Sequence, residues 1–143
     1  MTNTDVVTQW FEQVWNQKKA SAIPELLSET CIAHGLTDEQ GNELTGAAPF
    51  TAFYNKFVAS FPESSVKILH TATDGDKVAT LTEFTLPHTG KSFEISPTKS
   101  INPSGKPLKM VGVAFTIVRD GKIQEAWNCY DFLGFFTQMG AFD

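Results

Sequence analysis

Positive charge is scarce in this chain: 143 residues carry a single arginine, Arg119, and eleven lysines and arginines stand against sixteen acidic residues, for a net charge of −5. No stripe of cations exists to neutralise phosphates, which excludes nucleic acid as an expected partner. Cysteine is nearly absent too. Cys31 and Cys129 are far apart, and neither sits in a Cys-x-x-Cys pair or a zinc-like spacing, so both read as buried free thiols. No apolar run approaches the length of a membrane span, and the Met-Thr-Asn-Thr-Asp start has neither a basic region nor an apolar one behind it. The expectation is a cytoplasmic protein with no membrane partner. Phosphate loops, nucleotide-binding glycine patterns and Ser/His/Asp arrangements are all missing. His34, His70 and His88 have no local ligand spacing, so neither a metal nor a cofactor is expected.

What the chain does have is phenylalanine, twelve copies of it, in a length suited to one domain over residues 1–143. So many rings imply either a bulky core or a ring-lined pocket. Val7, Trp10, Phe11, Val14 and Trp15 fall at helical spacing over about Thr4 to Lys18, with Asn3 or Thr4 able to cap. A short helix over Ala20 to Leu27 tolerates Pro24 in its first turn, and Cys31 to His34 reads as a strand. A third helix starts at Pro49, and Phe50, Phe53, Tyr54, Phe57, Val58 and Phe61 form its apolar face.

The period then changes to two. Val66 to Ala72 and Val78 to His88 make a hairpin around Asp74-Gly75-Asp76, and Leu108 to Arg119 with Lys122 to Phe132 make another around Asp120-Gly121. Three helices followed by a largely antiparallel sheet predict an α+β fold with helices on one sheet face. A two-residue turn at Asp120-Gly121 sets the second hairpin's register, pairing Ala114 with Trp127, Gly112 with Cys129 and Met110 with Asp131 on one face. Small residues opposite large ones leave volume there, so this face is the expected pocket. Val111, Val113, Phe115 and Ile117 on the other face exceed what three helices can cover, which predicts a homodimer. A bulge at Gly112 would invert the register.

Asp131 ends an apolar, aromatic-rich strand, where a carboxylate can be held away from bulk water and put to proton transfer. It is the leading catalytic candidate, against the alternative that it caps the turn Phe132-Leu133-Gly134.

Several pieces in order carry a resemblance: Phe61-Pro62-Glu63, Asp76-Lys77-Val78, His88-Thr89-Gly90, Pro103-Ser104-Gly105-Lys106, Asp120-Gly121-Lys122-Ile123 with Glu125, Trp127 and Asp131, and Gln138-Met139-Gly140. Together they resemble the SnoaL-like polyketide cyclases, of the cone-shaped superfamily of ketosteroid isomerase, scytalone dehydratase and nuclear transport factor two. The resemblance implies a curved sheet around a long helix, an internal apolar cavity and dimers. It implies that Asp131 is the acid/base of an intramolecular aldol-type ring closure on a ketone-bearing, polyketide-like molecule, with no cofactor. His88 matches a Thr-His-x-Gly motif, with Pro87 in place of the threonine, and joins Asp131 as a catalytic candidate. Trp127, Tyr54, Phe53, Phe57, His34, Phe84, Met110 and Cys129 are the expected substrate contacts, and Tyr54, Tyr130, Asn128 or His88 the expected donor to an enolate oxygen. Lys91 to Asn102 is extra relative to the family's spacing and is expected to reshape the cavity mouth. The alternative is a ligand-binding or dimerisation module of the same fold without turnover.

Overall fold

The computed structural model describes all 143 residues. The first helix, α1 (Asn3–Gln9), is capped by Thr2, one residue before the expected caps: the Thr2 hydroxyl accepts from the Asp5 N–H while the Asp5 carboxylate accepts from the Thr2 N–H, a reciprocal capping box. It runs on without a break as a π-helical stretch, Trp10–Asn16. The wider turn still presents Trp10, Phe11, Val14 and Trp15 as a buried set. The short α2 (Ala22–Leu26) leads into β1 (Leu27–Thr37), longer than the strand expected there, and an edge strand β2 (Glu43–Thr45) pairs back on it. The ring-bearing helix is α3 (Ala47–Ser60).

Both predicted hairpins form, as β3 (Ser65–Asp74) with β4 (Lys77–Pro87), and, after a two-stranded ribbon, β7 (Pro107–Arg119) with β8 (Lys122–Tyr130). The ribbon, β5 (Phe93–Ser96) and β6 (Lys99–Ile101), is the folded part of the extra segment. Phe93 anchors it among Phe57, Phe61, Phe135 and Phe136, and Lys99 Nζ donates to the Ala141 carbonyl. A fourth helix, α4 (Phe132–Gln138), follows β8, so the helices number four rather than the expected three. The main sheet has the order β2-β1-β8-β7-β4-β3, antiparallel except for the β1–β8 pair, and curves about the helices as an α+β cone.

One register shift decides which side chains face inward. Arg119 pairs with Lys122 and Val118 with Ile123 as expected, but Ile117 then pairs with Glu125, leaving Gln124 as an extra residue. This bulge reverses the alternation of everything after it. Ala114 faces Asn128 and Gly112 faces Tyr130, so Asn128 and Tyr130 look into the cone. Trp127 and Cys129 lie on the outer face, across from Phe115 and Val113, and the expected Met110–Asp131 pairing does not form.

Candidate functional site

Inside the cone the rings enclose a chamber of about 60 Å3. Trp10, Phe11, Trp15, Phe50, Phe53, Phe57 and Phe84 form much of its wall, packed largely edge to face, with Met110, Ala114, Thr116, Asn128, Tyr130 and Phe132 on the sheet side and at α4. Phe53, Asn128, Tyr130 and Phe132 are half-buried, unlike the fully buried lining residues, and so mark its mouth. The volume is below the roughly 150 Å3 of a cavity that takes up benzene, so a ring-sized ligand must displace rim side chains.

Of the expected contacts, Phe53, Phe57, Phe84 and Met110 line this chamber. The others do not. Tyr54 is buried behind the wall, with its hydroxyl donating to the Val14 carbonyl at 2.8 Å. Trp127 and Cys129 are turned outward by the Gln124 bulge. His34 stacks on Trp127 with ring centroids 5.0 Å apart, outside the chamber. There its Nδ1 lies 2.9 Å from Glu43 and its Nε2 2.6 Å from Glu125. The Glu125 bond is the chief reason its pKa sits above the ordinary value, and burial opposes it. His88 is 1 % exposed, packs on Phe61, and donates from Nε2 to the Lys91 carbonyl at 2.8 Å, which makes it a fastening for the start of the extra segment.

Asp131 does not line the chamber. It is exposed and caps α4, with Oδ1 accepting the Gly134 N–H at 2.9 Å and Oδ2 free of any bond to the chain. Its neighbours on both sides, Tyr130 and Phe132, are lining residues. No other carboxylate in the chain is bracketed in this way.

The chamber's interior carries no carboxylate and no imidazole; its polar side chains are Thr116, Asn128 and the phenol of Tyr130. Burial pushes the Tyr130 phenol up to about 12, with the neighbouring Thr82 hydroxyl pulling the other way, so it remains a neutral O–H donor near pH 7. Asn128 donates one amide N–H to the His34 carbonyl at 3.0 Å. Gly35 beside it has a φ of +88° and approaches β8 so closely that an added Cβ would lie 2.3 Å from the main-chain carbonyl oxygen of Asn128. Trp10, Phe11, Trp15 and Phe50 were legible as helix-face residues, but nothing in their spacing distinguishes a chamber wall from solid core. No group of acidic, histidine and cysteine side chains is placed to hold a metal ion, and no helix is long and apolar enough to cross a membrane.

Residues 5–139 match the family model described as SnoaL-like polyketide cyclase. Among solved structures, IdmH from Streptomyces antibioticus, a candidate polyketide cyclase, superposes with a TM-score of 0.81 at 21 % identity over 98 % of this chain and 99 % of its own. A candidate polyketide cyclase from Acidithiobacillus ferrooxidans gives 0.79 at 22 % identity over 97 % and 94 %. AclR from Streptomyces galilaeus, described as a candidate hydroxylase, gives 0.78 at 18 % identity over 99 % and 86 %. At such identities the likeness is one of fold, and the differing descriptions show that the fold alone does not fix the reaction. No curated protein matches the sequence.

Proposed function

The chain belongs to the SnoaL-like polyketide cyclase family, and on that premise we propose that it is a cofactor-free cyclase or isomerase acting on an apolar, ketone-bearing, polyketide-like molecule. The observation that carries this reading is a ring-walled chamber that offers a neutral phenol from within and has one carboxylate, Asp131, bracketed by lining residues at its mouth. A carbon between two carbonyls is acidic enough for a carboxylate to take its proton without a metal. Asp131 Oδ2, free of the cap, takes that proton. Tyr130 donates to the enolate oxygen. The enolate carbon then attacks a second carbonyl of the same molecule, forming the C–C bond, and Asp131 returns its proton to the new alkoxide. Substrate seated at the rim shields the carboxylate from water, which the unliganded rim does not do.

A direct test is α-proton exchange in D2O on an apolar aromatic β-keto ester, followed by NMR. The wild type accelerates exchange, and Asp131→Asn abolishes the acceleration while probe binding stays within about threefold. Acceleration that survives Asp131→Asn would reject that residue as the base.

A second reading, a binding module without turnover, is favoured by two features: Asp131 is a solvated cap and the chamber is small. Probe binding with no acceleration by the wild type would establish it in place of the first.

A further inference from the structure

The inner face of the sheet has its polar side chains on either side of two small residues. Thr80, Ala114 and Asn128 align across β4, β7 and β8, as do Thr82, Gly112 and Tyr130 in the next row and Val78, Thr116 and Ala126 in the row on the other side. In the Gly112 row the Tyr130 ring fills the gap. Above Ala114 the space is part of the chamber.

Half of the hydrogens on these groups already have acceptors within the protein. Thr116 donates its hydroxyl hydrogen to the Val78 carbonyl at 3.0 Å, so only lone pairs remain on Oγ1, in a side chain that lines the chamber and is 3 % exposed. The Asn128 amide orientation is fixed by chemistry, because the His34 carbonyl can only accept and must therefore face Nδ2. Oδ1 is turned away from it and has no partner in the chain. Among the residues that line the chamber, one Asn128 N–H and the Tyr130 O–H, which lies beside Thr82, are the donors left over. A ligand carbonyl can satisfy those donors, but neither Thr116 Oγ1 nor Asn128 Oδ1. Thr80, beside Ala114 but behind the chamber's lining, has a fully buried hydroxyl with no partner.

We propose that Asn128 Oδ1 and Thr116 Oγ1 are specificity-determining acceptors, and that the chamber selects apolar molecules carrying an enol or phenol hydroxyl in addition to a ketone. This rests on the chamber being the small-molecule site of the proposed function and narrows its substrate class. The reason is energetic. A ligand that closes over these oxygens without a hydrogen to offer leaves buried acceptors unpaired, whereas a hydroxyl satisfies one of them.

The test is an NMR titration of the full chain with 4-ethylphenol, its methyl ether and 4-ethylacetophenone. The phenol should bind about tenfold more tightly than the ether, the difference one satisfied buried acceptor supports. Asn128→Leu should shrink that preference to within about threefold, and the nearly isosteric Thr116→Val, a second variant should the first fold poorly, should shrink it as well. Equal binding of phenol and ether by the wild type overturns this inference and leaves the proposed function standing if the ketone binds. A preference unchanged in both variants overturns it too. Binding of none of the three overturns the chamber as a ligand site, and this inference with it.

Discussion

Tyr130 lies across Gly112, with ring carbon Cδ1 2.3 Å from where a Cβ on that glycine would stand. Gly112 is therefore the position that lets the phenol reach Thr82 on the strand beyond. Gly112→Ala should force the ring aside and strain the β8 backbone, since the Cys129 carbonyl oxygen would be only 2.7 Å from the new methyl. A loss of about 3 kcal/mol is expected, at the upper end for overpacking. Thermal melts measure it. A variant as stable as wild type would mean that the ring does not hold this position.

Asp131 has two separable roles, and two substitutions divide them. Asp131→Ala removes the acceptor for the Gly134 N–H and should cost about 1 kcal/mol of stability. Asp131→Asn keeps a good capping side chain, so it should melt close to wild type while losing proton transfer. Equal destabilisation by both would show that charge, and not the cap bond, is what the site requires.

The helices that carry rings were legible because Trp10, Phe11, Val14 and Trp15, and likewise Phe50, Tyr54 and Phe57, repeat on one face and bury it. Both hairpins were legible from their turns. The cavity face of β8 was not, because it hinges on the single extra residue Gln124, and both possible faces of that strand mix aromatic with polar side chains. Alternation therefore could not choose between Trp127 and Asn128. The α4 helix does carry a stripe, Phe132, Phe135, Phe136 and Met139 at i, i+3, i+4 and i+7, but Gly134 and the short length weaken the pattern, and the Asp131 cap and the Phe61–Phe93–Phe135 cluster hold the helix. His88 matched a motif by position alone, and its burial against Phe61 has no signature in the sequence.

The outer face of the sheet leaves Val111 42 %, Val113 36 %, Phe115 37 % and Trp127 37 % exposed, with the Phe115 and Trp127 rings in contact at 5.8 Å. A contiguous apolar patch of this kind is the basis on which a homodimer is proposed. Light scattering should give twice the chain mass for the wild type and the single mass for Phe115→Lys. A wild-type monomer at micromolar concentration would refute the proposal.

His34 links β2 to β8 through two carboxylates, and the arrangement makes a signed prediction about pH. Both ring nitrogens face carboxylate oxygens, so both must carry hydrogens for both bonds to form, which requires the imidazolium. The folded pKa is accordingly raised above 6.5, first by the Glu125 bond and then by Glu43, with burial opposing. A raised folded pKa means that the folded state binds the proton more tightly than the unfolded chain. With Glu43 and Glu125 ionised, the contribution is fully present below the unfolded pKa and is lost as pH rises through the folded one. His34→Gln should therefore lower the melting temperature more at pH 6 than at pH 9, because the ring's second hydrogen, and with it one of the two carboxylate bonds, is lost as pH rises through the folded pKa. Thermal melts of both proteins at the two pH values check this. An equal deficit at both would mean that His34 contributes through its stacking on Trp127 and not through its charge.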